Sequence, residues 1–165
     1  MGEVRRATPA DTAELVRLRG VLLAAMAGRE PAGEEWRRAA SKTLRTRLSE
    51  VDPTLVAFVV EQPEQPEQPG ALAACAVGTV EYRLGGPDNP SGEVGYVFNV
   101  ATDPDHRRRG HSRRCVTALL DWYRDRGIRT VDLRASEAGE PLYRSLGFVR
   151  TSDPAMRLQL SEVDA

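Results

Sequence analysis

An α/β domain of three layers, with a mixed central sheet flanked by helices, is what the sequence predicts. Three of its features carry that expectation. Residues 54–61, 70–84 and 94–102 are β-branched and apolar runs bounded by turn residues, as strands are. A helical repeat over 111–127 separates the last of these from another strand-like run, and a helix between strands makes a parallel crossover. The 165 residues suffice for one domain with a real core but hardly for two, so residues 1–165 are taken as a single domain.

Element by element, "EVRRAT" (3–8) alternates and predicts a first strand. Residues 8–28 start a helix with Thr8 as cap, Pro9 in the first turn and early acids, and end it at Gly28. Residues 32–50 predict a second helix, moderately amphipathic and basic in its second half, whose charges read as a solvated face. The strand 54–61 runs into "EQPEQPEQP" (61–69), where proline at every third residue favours extended polyproline and forbids pairing. This repeat lies between two strand-like runs and reads as an elongated hairpin loop. After the strand 70–84 come a loop (85–93), the strand 94–102, the helix 111–127 closed by Gly127, and a strand over 128–136. A short helix (137–147) and two short strands around a turn (148–160) complete the order.

Composition narrows the function classes. Net charge is −1 and the sequence pI about 6.2, so the molecule as a whole is no polyanion binder. The apolar runs, such as 71–77, are too short to span a bilayer, and the N-terminus lacks the apolar stretch of a secretory signal. A cytoplasmic protein, with no membrane partner, is the expectation. Cys75 and Cys115 lie in apolar segments without a CxxC or histidines at ligand spacing. They read as small buried hydrophobes, and no metal site is expected.

Against that neutral background, "HRRRGHSRR" (106–114) packs five arginines and two histidines into nine positions. It follows a strand and opens a helix whose Cys115, Val116, Leu119, Leu120 and Tyr123 recur at helical spacing. At such a strand-to-helix corner the unpaired N–H groups and the helix dipole converge on one point, which suits a phosphate. A glycine lets a phosphate approach those amides, and guanidinium groups add charge. A duplex-binding surface would spread its cations, and a single-strand binder would interleave aromatics; neither pattern is present, and no nucleic-acid partner is expected. No lysine follows the glycine as in a P-loop, and there is no GxGxxG.

"NVATDPDHRRRGHSRR" (99–114) closely resembles the acetyl-CoA motif of the GNAT N-acetyltransferases, whose core is Gln/Arg-x-x-Gly-x-Gly/Ala. Here that core is Arg107-Arg108-Arg109-Gly110-His111-Ser112, with Ser112 departing from the family's Gly or Ala. "EPLYRSLGF" (140–148) is similar to the family's "LY-x-x-LGF" signature, and the order of elements resembles the GNAT fold throughout, most specifically over 99–148. The resemblance implies a GNAT fold and an acyltransferase that moves acetyl from acetyl-CoA to a primary amine within a ternary complex. It implies that Val100, Ala101 and Thr102 offer backbone groups to the pantetheine arm. Arg107, Arg108, Arg109, Gly110, His111, Ser112 and Arg113 would surround the pyrophosphate, and Tyr143 would protonate the departing thiolate.

The general base is less plainly marked. Many family members carry a glutamate in the strand before the CoA motif, but "YVFNVAT" (96–102) has no acid. In a branch that acetylates a ribosomal-protein terminus, a glutamate stands where "DLRASE" (132–137) places Asp132; Glu93 and Glu81 are lesser candidates, and a water chain is another route. Two alternatives to the enzyme stay open: a non-catalytic acyl-CoA-binding module, suggested by the missing strand acid, and a nucleic-acid-binding protein. The acceptor's identity and the choice between monomer and homodimer carry no motif.

Overall fold

Strands β2 (Leu55–Glu61) and β3 (Leu72–Tyr82) are buried along nearly their whole length, so both faces of the sheet there are covered. In the computed structural model, which describes residues 2–63 and 67–161, the chain falls into two compact units, 1–134 and 135–165. The first holds a five-stranded sheet in the order β1 (Val4–Arg6), β2, β3, β4 (Glu93–Thr102), β5 (Val131–Leu133). The first four pair antiparallel; β5 pairs with β4 in parallel, through the crossover of α3 (His111–Asp125).

Period-two alternation sorts the side chains to two faces. Leu55, Ala57, Val59, Cys75 and Val77 cluster with Leu15 and Leu18 of α1 (Thr12–Ala27). On the other face lies α3, with Cys115, Val116, Leu119 and Tyr123 buried. Its closest approach needs glycine: a Cβ on Gly78 or on Gly95 would collide with Tyr123. The Tyr123 hydroxyl, seated there, donates to the carbonyls of Thr79 (2.8 Å) and Tyr96 (3.2 Å). α2 (Glu35–Leu48), by contrast, has no fully buried residue.

Local chemistry explains the boundaries. Pro9–Asp11 winds a 3-10 turn rather than the first turn of α1, and the Asp11 carboxylate accepts the Thr8 N–H at 2.8 Å while pairing with Arg5. Gly28, at φ +70°, closes α1. β2 and β3 form the expected hairpin, latched by the Gln62 N–H on the Ala71 carbonyl at 2.8 Å; the middle of the EQP repeat, 64–66, lies outside the described residues.

The second unit contains α4 (Glu140–Ser145). The two strands expected over 148–160 are a correction: those residues form no strand, and Val149, Met156, Leu158 and Leu160 are exposed. A strand exists only through its ladder, and this stretch, interrupted by Pro154, finds none.

Candidate functional site

The end of β4 is built differently from its beginning. Gly95, Tyr96 and Val97 pair with β5, and that pairing stops at Val97. On the β3 side the register slips: Ala101 faces Cys75 but Phe98 faces Val77, so β4 carries one extra residue. Asn99, at φ +49°, is where the chain absorbs it. Asparagine tolerates the left-handed region, and a bulge bends a strand and re-aims its groups. The Asn99 carbonyl accepts the Cys75 thiol at 3.4 Å, and its side-chain oxygen accepts the Arg19 guanidinium at 3.1 Å. Beyond the bulge, Val100, Ala101 and Thr102 run out past the last residue that β5 pairs.

Thr102 meets the start of α3 directly. Its hydroxyl lies 2.5 Å from that of Ser112, tying strand end to helix start. This gives the departure from Gly or Ala at Ser112 a local role. Gly110, at φ +75°, is the N-cap of α3 and has no side chain with which to cap it. The first amides of the helix point out of its start, where a ligand can meet them. Arg107, Arg108 and Arg109 are exposed, and among the described residues they pair with no carboxylate. Arg108 adopts φ +62°, which together with Gly110 curls the backbone into a concave turn.

The corner is braced from beneath. Asp103 accepts the Asp105 N–H at 3.0 Å and the Arg17 guanidinium at 2.7 Å. Arg17 also pairs with Glu14 and donates to the Leu72 carbonyl at 2.9 Å, and Glu14 accepts the Leu72 N–H at 2.8 Å. Burial pushes the Asp103 carboxyl up, but the Asp105 amide, Arg17 and His106 hold it below the usual range. His111 is buried, and Nδ1 lies 2.6 Å from the Arg114 guanidinium. Burial first, and Arg114 second, keep its imidazole neutral by pushing its pKa down. Arg114 also donates to the Gly2 carbonyl at 2.8 Å, so this arginine braces the helix start.

Two predicted groups remain, one in each unit. Asp132 is half-exposed in β5 opposite Tyr96, and its carboxylate is 3.6 Å from Arg83. Val100 is four residue steps along the strand from Tyr96, about 13 Å at the usual rise. Tyr143, in the second unit, is half-buried, stacks edge-on against Phe148 at 5.9 Å, and has its phenol pKa raised by burial. In the same helix Glu140, gripped by Arg150 and Arg144, is held down to about 2. Cys75 and Cys115 are free and buried, their thiols pushed up to about 12 by desolvation, so neither is a nucleophile at neutral pH. No cluster of three or more metal-ligating side chains occurs among the described residues, and no described helix is long and apolar enough to cross a membrane. Sequence reasoning missed Asn99 and Arg19. An asparagine inside the β-branched run "YVFNVAT" was the available signal for the bulge; Arg19 gave none.

Comparison with known proteins bears on the fold and the family. A predicted acetyltransferase from Clostridium acetobutylicum, solved with acetyl-CoA, superposes with a TM-score of 0.78 at 25% identity, covering 98% of this chain and 96% of that one. A GCN5-related N-acetyltransferase from Ralstonia eutropha gives 0.74 at 25% identity, covering 96% and 99%. The ribosomal protein bS18-alanine N-acetyltransferase of Escherichia coli is 44% identical over 55 residues, 32% of this chain and only 37% of that protein's length. The model of the acetyltransferase (GNAT) family matches residues 23–148, and the chain belongs to that family.

Proposed function

We propose that residues 1–165 act as one acetyl-CoA-dependent N-acetyltransferase domain, transferring acetyl directly to a primary amine in a ternary complex. The observation that carries this reading is the corner where the bulged end of β4 meets the uncapped start of α3, joined by Thr102 and Ser112. The pyrophosphate of acetyl-CoA sits on the amides of Gly110 to Arg113, with Arg107, Arg108 and Arg109 at its rim. The pantetheine arm runs along Val100, Ala101 and Thr102, whose backbone continues the ladder that β5 leaves unfinished.

Catalysis then rests on positioning and on a backbone N–H near Val100 polarising the thioester carbonyl. The amine nitrogen attacks the carbonyl carbon, the C–S bond breaks, and the departing thiolate takes a proton from the Tyr143 phenol. Phenol and thiol pKa values are close, at roughly 10 and 8.5, so that transfer is accessible in a shielded site. The attacking amine gives up its proton through water to Asp132, whose distance along the strand requires a relay.

Thiol release with a panel of amines tests the reading, together with Tyr143→Phe. The variant is expected to bind acetyl-CoA as the wild type does while turnover falls about 10²–10⁴-fold. Full turnover in Tyr143→Phe from pH 6 to 9, with a pre-steady-state burst excluding slow product release, would remove the donor role. Asp132→Asn is expected to lose rate mainly at low pH, where the amine is most protonated. An unchanged pH profile would leave water alone as the proton's route.

A further inference from the structure

Between α1 and α2 lies a second concavity of about 330 Å³, lined by Arg19, Leu23, Pro31, Trp36, Ala39 and Ala40 among others. Its wall is apolar except for one charge. Arg19 is half-buried, and among the described residues no carboxylate pairs with it. Arg5, Arg17, Arg37 and Arg47, on the same unit, each pair with an acid. A guanidinium offers five N–H donors, and the hydrogen bond that Arg19 makes goes to the Asn99 side chain at 3.1 Å. Trp36, also lining the cavity, buries its indole N–H with no acceptor among the described residues. A half-exposed guanidinium at the rim of an apolar wall keeps donors available to an anionic group.

We infer that this cavity selects the acetyl acceptor, and that the acceptor is a free α-amino acid with an apolar side chain, its carboxylate on Arg19. The inference rests on the reading of the β4–α3 corner as the acetyl-CoA site. Arg19 touches Asn99, the bulge residue immediately before Val100, so a carboxylate held there lies beside the backbone proposed to carry the thioester. An amine placed to attack must then be close to the carboxylate, as on an α-carbon. The side chain points away from β4, into the space between Leu23, Pro31, Ala39 and Ala40. The volume lies at the lower end for small-molecule sites and suits one amino acid. A polycationic acceptor would meet like charge at Arg19, and a peptide terminus would bring no carboxylate to it.

The test uses the CoA-loaded protein, with CoA binding itself followed by calorimetry. Binding of L-leucine and of isopentylamine, its decarboxylated counterpart, is read by tryptophan fluorescence, and acetylation by thiol release. L-Leucine is expected to bind at least about tenfold more tightly than isopentylamine. Arg19→Gln is expected to bring the two to parity by weakening only the amino acid. Ala39→Trp, at an exposed position, is expected to fill the cavity and weaken L-leucine more than glycine. Equal binding of leucine and isopentylamine to the wild type would overturn the inference, as would an Arg19→Gln variant that keeps the preference. So would failure of L-leucine to bind a protein that binds CoA. A protein that does not bind CoA fails earlier, and that result overturns the acetyltransferase reading itself.

Discussion

The β4–α3 corner and the α1–α2 pair are two ends of one unit held by different means. At the corner, conformation is set by backbone, with Asn99 and Gly110 at positive φ and a register slip, and is braced from beneath by the Asp103–Arg17–Glu14 ion pairs. Between the helices, side chains alone define the cavity, and α2 contributes no fully buried residue to hold them. A site that grips an invariant ligand through backbone tolerates varied side chains. A site that must discriminate among ligands depends on those side chains. The difference puts rigidity at the end proposed for the cofactor and specificity at the end proposed for the acceptor.

Substitutions can break or sharpen that contrast. The largest effect is expected from Gly110→Glu, which puts a carboxylate among the amides proposed for the pyrophosphate. Calorimetry should show acetyl-CoA affinity falling more than about 100-fold, the order expected when a charge-assisted contact becomes a repulsive one. Gly110→Ala shares the backbone strain of φ +75°, roughly 1–2 kcal/mol, but not the charge, and should retain measurable binding.

Next come the supports. Leu119→Ala, in the fully buried face of α3, should lower unfolding free energy by about 2–5 kcal/mol in denaturant titration. Lys42→Ala, on exposed α2, should change it by no more than about 0.5 kcal/mol. Equal costs would erase the distinction between the two ends. Ser112→Ala removes the Thr102 contact and should cost about 0.5–1.5 kcal/mol, leaving acetyl-CoA affinity nearly unchanged, since the family accepts alanine there.

The smallest effect concerns pH. The folded pKa of His111 lies below its ordinary 6.5, so the unfolded chain binds the extra proton first. The stability this histidine contributes is present above pH 6.5 and is lost as pH falls below it. Melting temperatures at pH 7.5 and 5.5 should show a larger drop for wild type than for His111→Gln. Asp11 and Asp103, also depressed, contribute above their ordinary 3.8 and lose that contribution only at lower pH, so they do not confound this window.

Legibility in the sequence follows the same division. The five strands of the first unit, α3 and the basic corner were readable because period, glycine and charge are local signals. Strand ends were read too long: β1 keeps only Val4–Arg6 of 3–8, and β5 only Val131–Leu133 of 128–136, because pairing partners end them. Residues 148–160 alternate like strands yet form none, since alternation cannot supply a ladder. Arg19 was invisible because its meaning comes from Asn99, eighty positions away, and from the absence of an acid beside it. Ser112 reads in the sequence as a departure from the family's Gly or Ala, and its local role comes from Thr102, which it meets only in the fold.

The seat of Tyr123 also constrains how this chain can drift. Gly78, Gly95 and Tyr123 come from three separate elements but interlock, and a Cβ at either glycine would overlap the tyrosine. No one of the three can change size alone: a larger residue at Gly95 needs a smaller one at 123, one at Gly78 must displace Leu119 as well, and a smaller residue at 123 leaves an empty seat and two carbonyls without the tyrosine hydroxyl. Descendants of this sequence should therefore inherit the trio as a block or exchange it as one. In a deep mutational scan the three positions should each tolerate almost nothing singly, while Gly95→Ala paired with Tyr123→Leu should recover more function than either change predicts.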